Sequence, residues 1–290
     1  MKCVFLYNPA LNKIKKHLNY ILKELENSFD DFSYVEVTSK EKMIDAINKS
    51  CEEATEVLCF AGGDGTFNLV TSTISKYDKR PILAYIPSGT ANDIASNLKI
   101  PKNVKKAVKV ICNMHYIRHD VGKIGDNYFV YICGAGTFTS VSYTTHQKRK
   151  KLFGVLAYAI EGVKELVKPT LVNGTIYLDD LKMDVSCPIM LIVNSRYMGG
   201  AHFNRRGHKN DGMFDVIICK KYITNIFAIA KLVILGTRKK DHTKYYDLYR
   251  AKHIKYVASN DLTWCLDGEE GPKGSIEIEN IEKHIEIIVK

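Results

Sequence analysis

Four stretches hold residue types that could do chemistry on a phosphate or a hydroxyl. In the first, the apolar run Val57, Leu58, Cys59, Phe60 reads as a buried strand and empties into Gly62-Gly63-Asp64-Gly65-Thr66, ahead of a helix expected from Phe67 to Ser75. The glycines leave bare backbone, so main-chain N–H groups can approach a phosphate closely, and the next helix adds its positive end. Asp64 is the anomaly: a carboxylate in an anion cradle points to a bound cation or to a polar anchor beside the phosphates. A tight strand-to-helix turn is the plainer reading of the same residues. The second stretch, Pro87-Ser88-Gly89-Thr90-Ala91-Asn92-Asp93, is again a strand running into a helix start. Ser88 and Thr90 bring hydroxyls, Gly89 brings open backbone, and Asn92 or Asp93 can cap the helix. Two such turns on neighbouring strands would lie side by side on one sheet edge and could hold a triphosphate.

The third stretch is Asp267-Gly268-Glu269. On an extended segment residues i and i+2 point to the same side, so both carboxylates could face one cleft, one orienting while the other takes a proton. Glu270-Gly271-Pro272 follows, and a surface turn is the alternative. In the fourth, from Arg205 to Met213, a polar turn could wrap a hard cation with Asp211 and backbone carbonyls, or be a bare Asn-Asp-Gly turn.

These stretches need elements to carry them. The N-terminal part alternates: strand Lys2 to Tyr7, helix Asn12 to Asn27, strand Tyr34 to Thr38, a helix from Ser39 to Cys51 capped by Ser39, strand Val57 to Phe60, helix, strand Ile82 to Ile86, and a helix after Asn92. This order predicts a mostly parallel sheet with helices on both faces, and ligands bind at the carboxyl ends of such strands. Beyond Asp120 short strands dominate (Tyr128–Cys133, Gly174–Leu178, Ile189–Val193, Phe214–Cys219, Ile254–Ala258, Thr263–Leu266, Ser275–Ile278, His284–Val289). Only two helices are expected there, Phe153 to Val167 and Ile223 to Leu235. The fold class expected is α/β + β. An α/β nucleotide-binding domain spans 1–123, and an antiparallel, β-sandwich-like domain spans 124–290.

The 290 residues, 46% hydrophobic and 26% charged, suit a globular protein with a substantial core. Eight scattered cysteines without a C-x-x-C pair read as small buried hydrophobes in a reducing, cytoplasmic compartment, and the N-terminus reads as a first strand, not a signal peptide. No apolar run is long enough to span a bilayer. The net charge of +10 points to an anionic partner: a nucleotide, nucleic acid or an anionic membrane surface. The basic runs His146 to Lys151 and Lys220-Lys221 could attract lipid head groups. Aromatic interleaving of the kind found in RNA-binding sheets is missing, so nucleic acid is disfavoured.

Taken in order, Asn8-Pro9, Gly62 to Thr66 with Asn68, Pro87 to Asp93, Asp120-Val121-Gly122, Cys133 to Gly136, Asn210 to Asp215 and Leu266 to Glu269 resemble the bacterial diacylglycerol kinase family. That family is related to sphingosine and ceramide kinases, and the likeness runs over the whole chain. The glycine motif alone is shared with NAD kinases and phosphofructokinases. The resemblance implies an ATP- and Mg²⁺-dependent lipid kinase, most readily phosphorylating diacylglycerol to phosphatidic acid. Such a kinase would be peripherally attached to the inner face of the membrane, and a homodimer through the second domain is implied as well. It implies an ATP site lined by Asn8, Pro9, Thr38, Gly62, Gly63, Asp64, Gly65, Thr66, Phe67, Asn68 and Thr90, with Ser88, Gly89 and Asn92 in the second phosphate loop. Glu269 resembles the general base, with Asp267 beside it and Asp64 as a third catalytic carboxylate. Asp64, Asp93 and Asp120 are the implied network around the catalytic Mg²⁺. Asp211, with the carbonyl oxygens of His208 and Met213, is the implied structural divalent site. The chain departs from the family at Ala10-Leu11-Asn12-Lys13, where a small or glycine-containing turn is usual, which weakens the case for backbone contacts from that loop. A NAD kinase, or a silent nucleotide- or lipid-binding regulator on the same fold, are the alternatives.

Overall fold

Three apolar strands, β1 (Lys2–Tyr7), β3 (Val57–Gly62) and β4 (Ile82–Pro87), and a largely exposed edge strand, β2 (Asp31–Glu36), pair in parallel in the order β2-β1-β3-β4. The computed structural model describes residues 1–137, 171–198, 201–204, 210–220 and 242–290. Within them the chain forms two units, Met1–His119 with Lys283–Lys290, and Asp120–Glu282. The division differs from a single cut after residue 123, because the last strand returns to the first unit, pairing Ile287 with Leu83 of β4 and burying Ile288 in that unit's core.

The helices of the first unit are α1 (Asn12–Lys15), α2 (Leu18–Ser28), α3 (Lys40–Glu52), α4 (Asp64–Ile74), α5 (Asp93–Leu98) and α6 (Val104–Cys112). Ser39 caps α3 by accepting from the Lys42 N–H, the contact its spacing predicts. The helix expected from Asn12 to Asn27 is broken at Lys16 and His17, and no glycine or proline accounts for the break. Helix α4 begins three residues earlier than expected. Strand β3 extends through Gly62, Gly63 is the N-cap, and Asp64, Gly65 and Thr66 form the first turn, so the presumed loop is largely helix. The core packs Cys3, Phe5 and Tyr7 of β1 and Cys59 of β3 against Ile21 and Leu25 of α2 and Val104, Val108 and Ile111 of α6.

In the second unit, β7 (Ile132–Gly136), β10 (Ile189–Val193), β13 (Phe214–Cys219), β14 (Tyr246–Ala251), β16 (Thr263–Leu266) and β17 (Glu269–Lys273) form an antiparallel sheet in the order β14-β13-β10-β7-β16-β17. Strands β8 (Val172–Leu178), β9 (Leu181–Cys187) and β15 (His253–Ala258) pair antiparallel with one another and with the first half of β18 (Ile276–Ile288). Two short antiparallel pairs, β5 (Tyr116–Ile124) with β6 (Asn127–Phe129) and β11 (Tyr197–Met198) with β12 (Ala201–His202), complete the described strands. One cluster, including Phe129, Ile176, Cys187, Met190, Phe214, Tyr256, Trp264 and Ile278, draws on both sheets, so they share a core. Two strands expected at Ser275–Ile278 and His284–Val289 are the ends of the single 13-residue β18. The polar Glu279 to Lys283 between them hides the continuity. The helices expected at Phe153–Val167 and Ile223–Leu235, the basic run His146 to Lys151, and Lys221 lie outside the described residues. No described helix is long and apolar enough to cross a membrane.

Candidate functional site

The carboxyl ends of β1 to β4 carry, in turn, Asn8-Pro9, Thr38, Gly63 and the Ser88 to Asn92 loop, so these expected binding residues do line one edge of the parallel sheet. The strand order reverses between β1 and β3, the place where open α/β sheets bind ligands. Asn8 Oδ1 accepts from the Ala10 N–H at 2.8 Å, shaping the first loop.

The two glycine turns are in backbone contact. A Cβ added at Gly63 would lie 3.1 Å from the Gly89 Cα, and one added at Gly89 would lie 2.5 Å from the Gly63 Cα. Only glycine permits this approach, because at Gly89 the opposing atom is main chain and cannot rotate away. Gly62 is constrained in the same way, since a Cβ there would meet the Thr66 side chain at 2.3 Å. Helix α4 aims its first N–H groups out of this junction. The first intrahelical bond is from Phe67 N to Gly63 O, so the N–H groups of Asp64, Gly65 and Thr66 have no partner within the helix, and the dipole favours an anion there.

The second turn is built differently. Gly62 O accepts from Ser88 N at 2.7 Å and from Gly89 N at 3.1 Å. Asn92, buried and at φ 51, accepts from Gly89 N at 3.0 Å and donates from Nδ2 to Gly89 O at 2.8 Å. Asn92 therefore sits at the N-cap of α5 without capping it. Asp64 supplies the capping contact: its Oδ1 accepts from Ile94 N at 3.0 Å. Burial raises the Asp64 carboxyl above its ordinary value and the nearby Asp93 charge adds to this, while the N–H groups of Ile94, Asp93 and Asn92 oppose it. Asp93 itself is buried at the first position of α5. Two lysines that sequence reasoning passed over support this turn. Lys13 Nζ donates to Pro87 O (3.1 Å) and Lys102 O (2.8 Å), and Lys102 Nζ donates to Ala91 O (2.6 Å). Lys13 falls in the stretch that departs from the family pattern, and that departure was the available signal.

Asp64, half-buried in the first turn of α4, and Asp93, buried at the start of α5, are the carboxylates at this junction, and two such groups suit a divalent cation that keeps several waters. Among the described residues no three His, Cys, Asp or Glu side chains cluster as direct ligands. Asp120 is engaged within the second unit, where its Oδ2 accepts from Gly212 N at 2.8 Å, its N donates to Asn210 Oδ1 at 3.3 Å, and its carbonyl accepts from Asn194 Nδ2 at 2.9 Å. Asp211 accepts from Met213 N at 3.2 Å and is ion-paired to Arg250, whose Nε lies 3.5 Å from Asp215. Asp211 is thus paired with a guanidinium, and His208, the second ligand of the implied divalent site, lies outside the described residues.

Asp267 and Glu269 are not neighbours on one extended segment. Leu266 pairs with Glu269 across β16 and β17, and Asp267 (φ 50) and Gly268 (φ 91) form the two-residue turn between them, the positive-φ pair for which Asp-Gly is favoured. The expectation that both carboxylates face one side fails for that reason. Asp267 points inward: Oδ2 accepts from Val130 N (2.7 Å), and Oδ1 accepts from Tyr131 N (3.0 Å) and Ile132 N (2.9 Å). Glu269, at the start of β17, is exposed.

The chain thus holds a parallel α/β unit with two touching glycine turns and an antiparallel unit whose hairpin carries one anchored and one exposed carboxylate. Residues 2–124 match the diacylglycerol kinase catalytic domain. A diacylglycerol kinase of Staphylococcus saprophyticus is 33% identical, the match covering 97% of this chain and 93% of that protein. One of Staphylococcus carnosus is 30% identical with the same two coverages. A crystal structure of a diacylglycerol kinase from Bacillus anthracis str. Sterne superposes with a TM-score of 0.81 at 20% identity, covering 100% of this chain and 97% of that one, and so shares the fold. The chain belongs to the diacylglycerol kinase family and is a lipid kinase.

Proposed function

We propose that this kinase transfers the γ-phosphoryl group of ATP to the hydroxyl of diacylglycerol, giving phosphatidic acid. The observation that carries the reading is the contact of Gly63 with Gly89 at the N-terminus of α4, which brings open backbone and unpaired N–H groups together where phosphates can approach. In the reaction the acceptor oxygen bonds to the γ-phosphorus as the bond to the β,γ-bridging oxygen breaks, and ADP leaves with that electron pair. The hydroxyl proton passes to Glu269, which is exposed and free to take it, while Asp267 holds the hairpin in place through three main-chain N–H groups. Asn8, Pro9, Thr38, the first turn of α4 with Asn68, and Thr90 line the nucleotide, whereas Phe67, expected among them, is fully buried with its ring against Phe60 and Tyr85 and its N–H bonded to Gly63 O, so it supports that turn from the core. Mg²⁺, held through Asp64 and Asp93, would neutralise phosphate charge when bound. Asp120 is assigned to shaping the Asn210 to Gly212 turn. The chain works at the inner face of an anionic membrane, to which its net charge of +10 attracts it, and it acts as a homodimer.

The test is purified protein with labelled ATP, offered vesicles containing diacylglycerol and other lipids, and NAD in parallel. Labelled phosphatidic acid is expected. Labelled NADP alone would refute the proposal, as would ATP binding with no transfer to any lipid.

A further inference from the structure

Tyr85 lies one strand residue inside the second turn, 1% exposed, and its ring is locked by aromatic neighbours: Phe60 at 5.3 Å stacked and Phe67 at 5.1 Å edge-on, centroid to centroid. Its hydroxyl emerges between the two glycine turns. It lies 3.1 Å from Gly62 O and 3.2 Å from Asn92 Oδ1, within hydrogen-bonding reach of both with one proton to give. Gly62 O is the acceptor that already draws in Ser88 N and Gly89 N, and Asn92 is the side chain that grips both polar groups of Gly89. One phenol thus touches both devices that fix Gly89 against Gly63.

We propose that Tyr85 is a positioning residue for nucleotide phosphates: its hydroxyl sets the spacing of the two glycine turns, and thereby the donor geometry at the first turn of α4. The inference rests on the kinase reading of this site. Burial, with the charges of Asp64 and Asp93 adding, keeps the phenol protonated far above neutral pH, so it is a constant donor and not an acid or base in the reaction. Neither acceptor depends on it alone, since Gly62 O retains Ser88 N and Asn92 Oδ1 retains Gly89 N. Removing the hydroxyl strands no buried group, so its effect should fall on loop geometry and not on folding.

The experiment is Tyr85→Phe in the full chain, with Tyr85→Leu as the variant that also loses the ring. ATP and its β,γ-methylene analogue are titrated calorimetrically with Mg²⁺, alongside Tm and the separate KM values for ATP and lipid. For Tyr85→Phe we expect a Tm near wild type, nucleotide affinity weaker by about 3- to 10-fold, the scale of one net hydrogen bond, and an unchanged KM for lipid. Tyr85→Leu should show the same loss of affinity plus a clear fall in Tm. Wild-type affinity in Tyr85→Phe, or a loss that merely follows a lowered Tm, would overturn the positioning role while leaving the kinase reading intact. Failure of the wild-type chain to bind either nucleotide would overturn the kinase reading and the inference with it.

Discussion

Replacing Gly89 by alanine tests the contact on which the proposed nucleotide site depends. The new Cβ would sit 2.5 Å from Gly63 Cα, 3.0 Å from Asn92 Oδ1 and 3.3 Å from Gly63 N. Carbon atoms in contact prefer about 3.5 to 4.0 Å, so the two turns must separate by roughly 1 Å. A misplacement of about that size costs on the order of 100-fold in rate, and overpacking of this kind costs about 1 to 3 kcal/mol in stability. Gly63→Ala places its Cβ 3.1 Å from Gly89 Cα, a smaller conflict, and should lose only a fraction as much activity. Gly125 supplies the control. It has φ +55, and an added Cβ would meet nothing within 4 Å, so Gly125→Ala should cost stability of about 1 kcal/mol through backbone strain without disturbing the phosphate site. The assay is kcat/KM for ATP with Tm measured on the same preparations. The expected order of activity loss is Gly89→Ala, then Gly63→Ala, then Gly125→Ala near wild type. Activity that tracked Tm across all three, or a fully active Gly89→Ala, would refute the reasoning.

Glu269→Gln is expected to abolish transfer while calorimetry shows wild-type ATP affinity; normal turnover would place the base elsewhere. Asp64→Asn tests the raised carboxyl. A folded-state value above the unfolded one means that the folded chain binds the extra proton, so Asp64's contribution to stability falls as pH rises from the ordinary carboxylate value through the raised one. In EDTA, the Tm of Asp64→Asn minus that of wild type should therefore increase from about pH 4 toward neutrality, and a pH-independent difference would contradict the assignment. Arg250→Ala and Asp211→Ala should each lower stability by at most about 1 kcal/mol, given their exposure. The double variant should lose less than the sum of the two single ones, since each also forfeits the shared pair, in EDTA and in Mg²⁺ alike. A drop on Asp211→Ala seen only with Mg²⁺ would show that a cation, not the guanidinium, holds that turn.

Much of the first unit can be read from local chemistry, because β1, β3 and β4 are apolar runs closed by residues that cannot continue them, as Phe60 gives way to Gly62 and Ile86 to Pro87; the exposed edge strand β2 lacks that pattern and begins at Asp31, three residues before the expected Tyr34. The limits appear where a long-range partner decides. Glu279 to Lys283 reads as a polar break, yet Asn280 is buried and the strand runs through. Strand β9 escapes notice because Leu181, Lys182, Asp184 and Ser186 are all exposed, leaving little apolar pattern. For Asp267 and Glu269 the i, i+2 rule was applied across a turn, and only the pairing of Leu266 with Glu269 reveals that the chain reverses there. Tyr85 gave no signal, since a tyrosine in a buried strand is ordinary core until its hydroxyl's surroundings are known.

Asp64 shows how a residue singled out for its charge also carries a structural task. A carboxylate among phosphate-binding glycines is a contradiction only while both turns are taken as equivalent cradles. Its Oδ1 accepts from Ile94, so Asp64 is the anion that sits on the N-terminus of α5, and that helix's positive end is already answered. At the second turn the Ser88 and Gly89 N–H groups are likewise directed inward, to Gly62 O and Asn92. The N–H groups of Asp64, Gly65 and Thr66 in the first turn of α4 have no such partner within their helix. On the kinase reading the two glycine turns therefore divide the work: the first offers N–H groups and dipole to the phosphates, and the second, braced by Asn92, Tyr85, Lys13 and Lys102, fixes where the first can stand. Phosphate affinity should then respond to changes in the bracing residues that never touch a phosphate, and a bare glycine motif without that bracing would predict binding poorly.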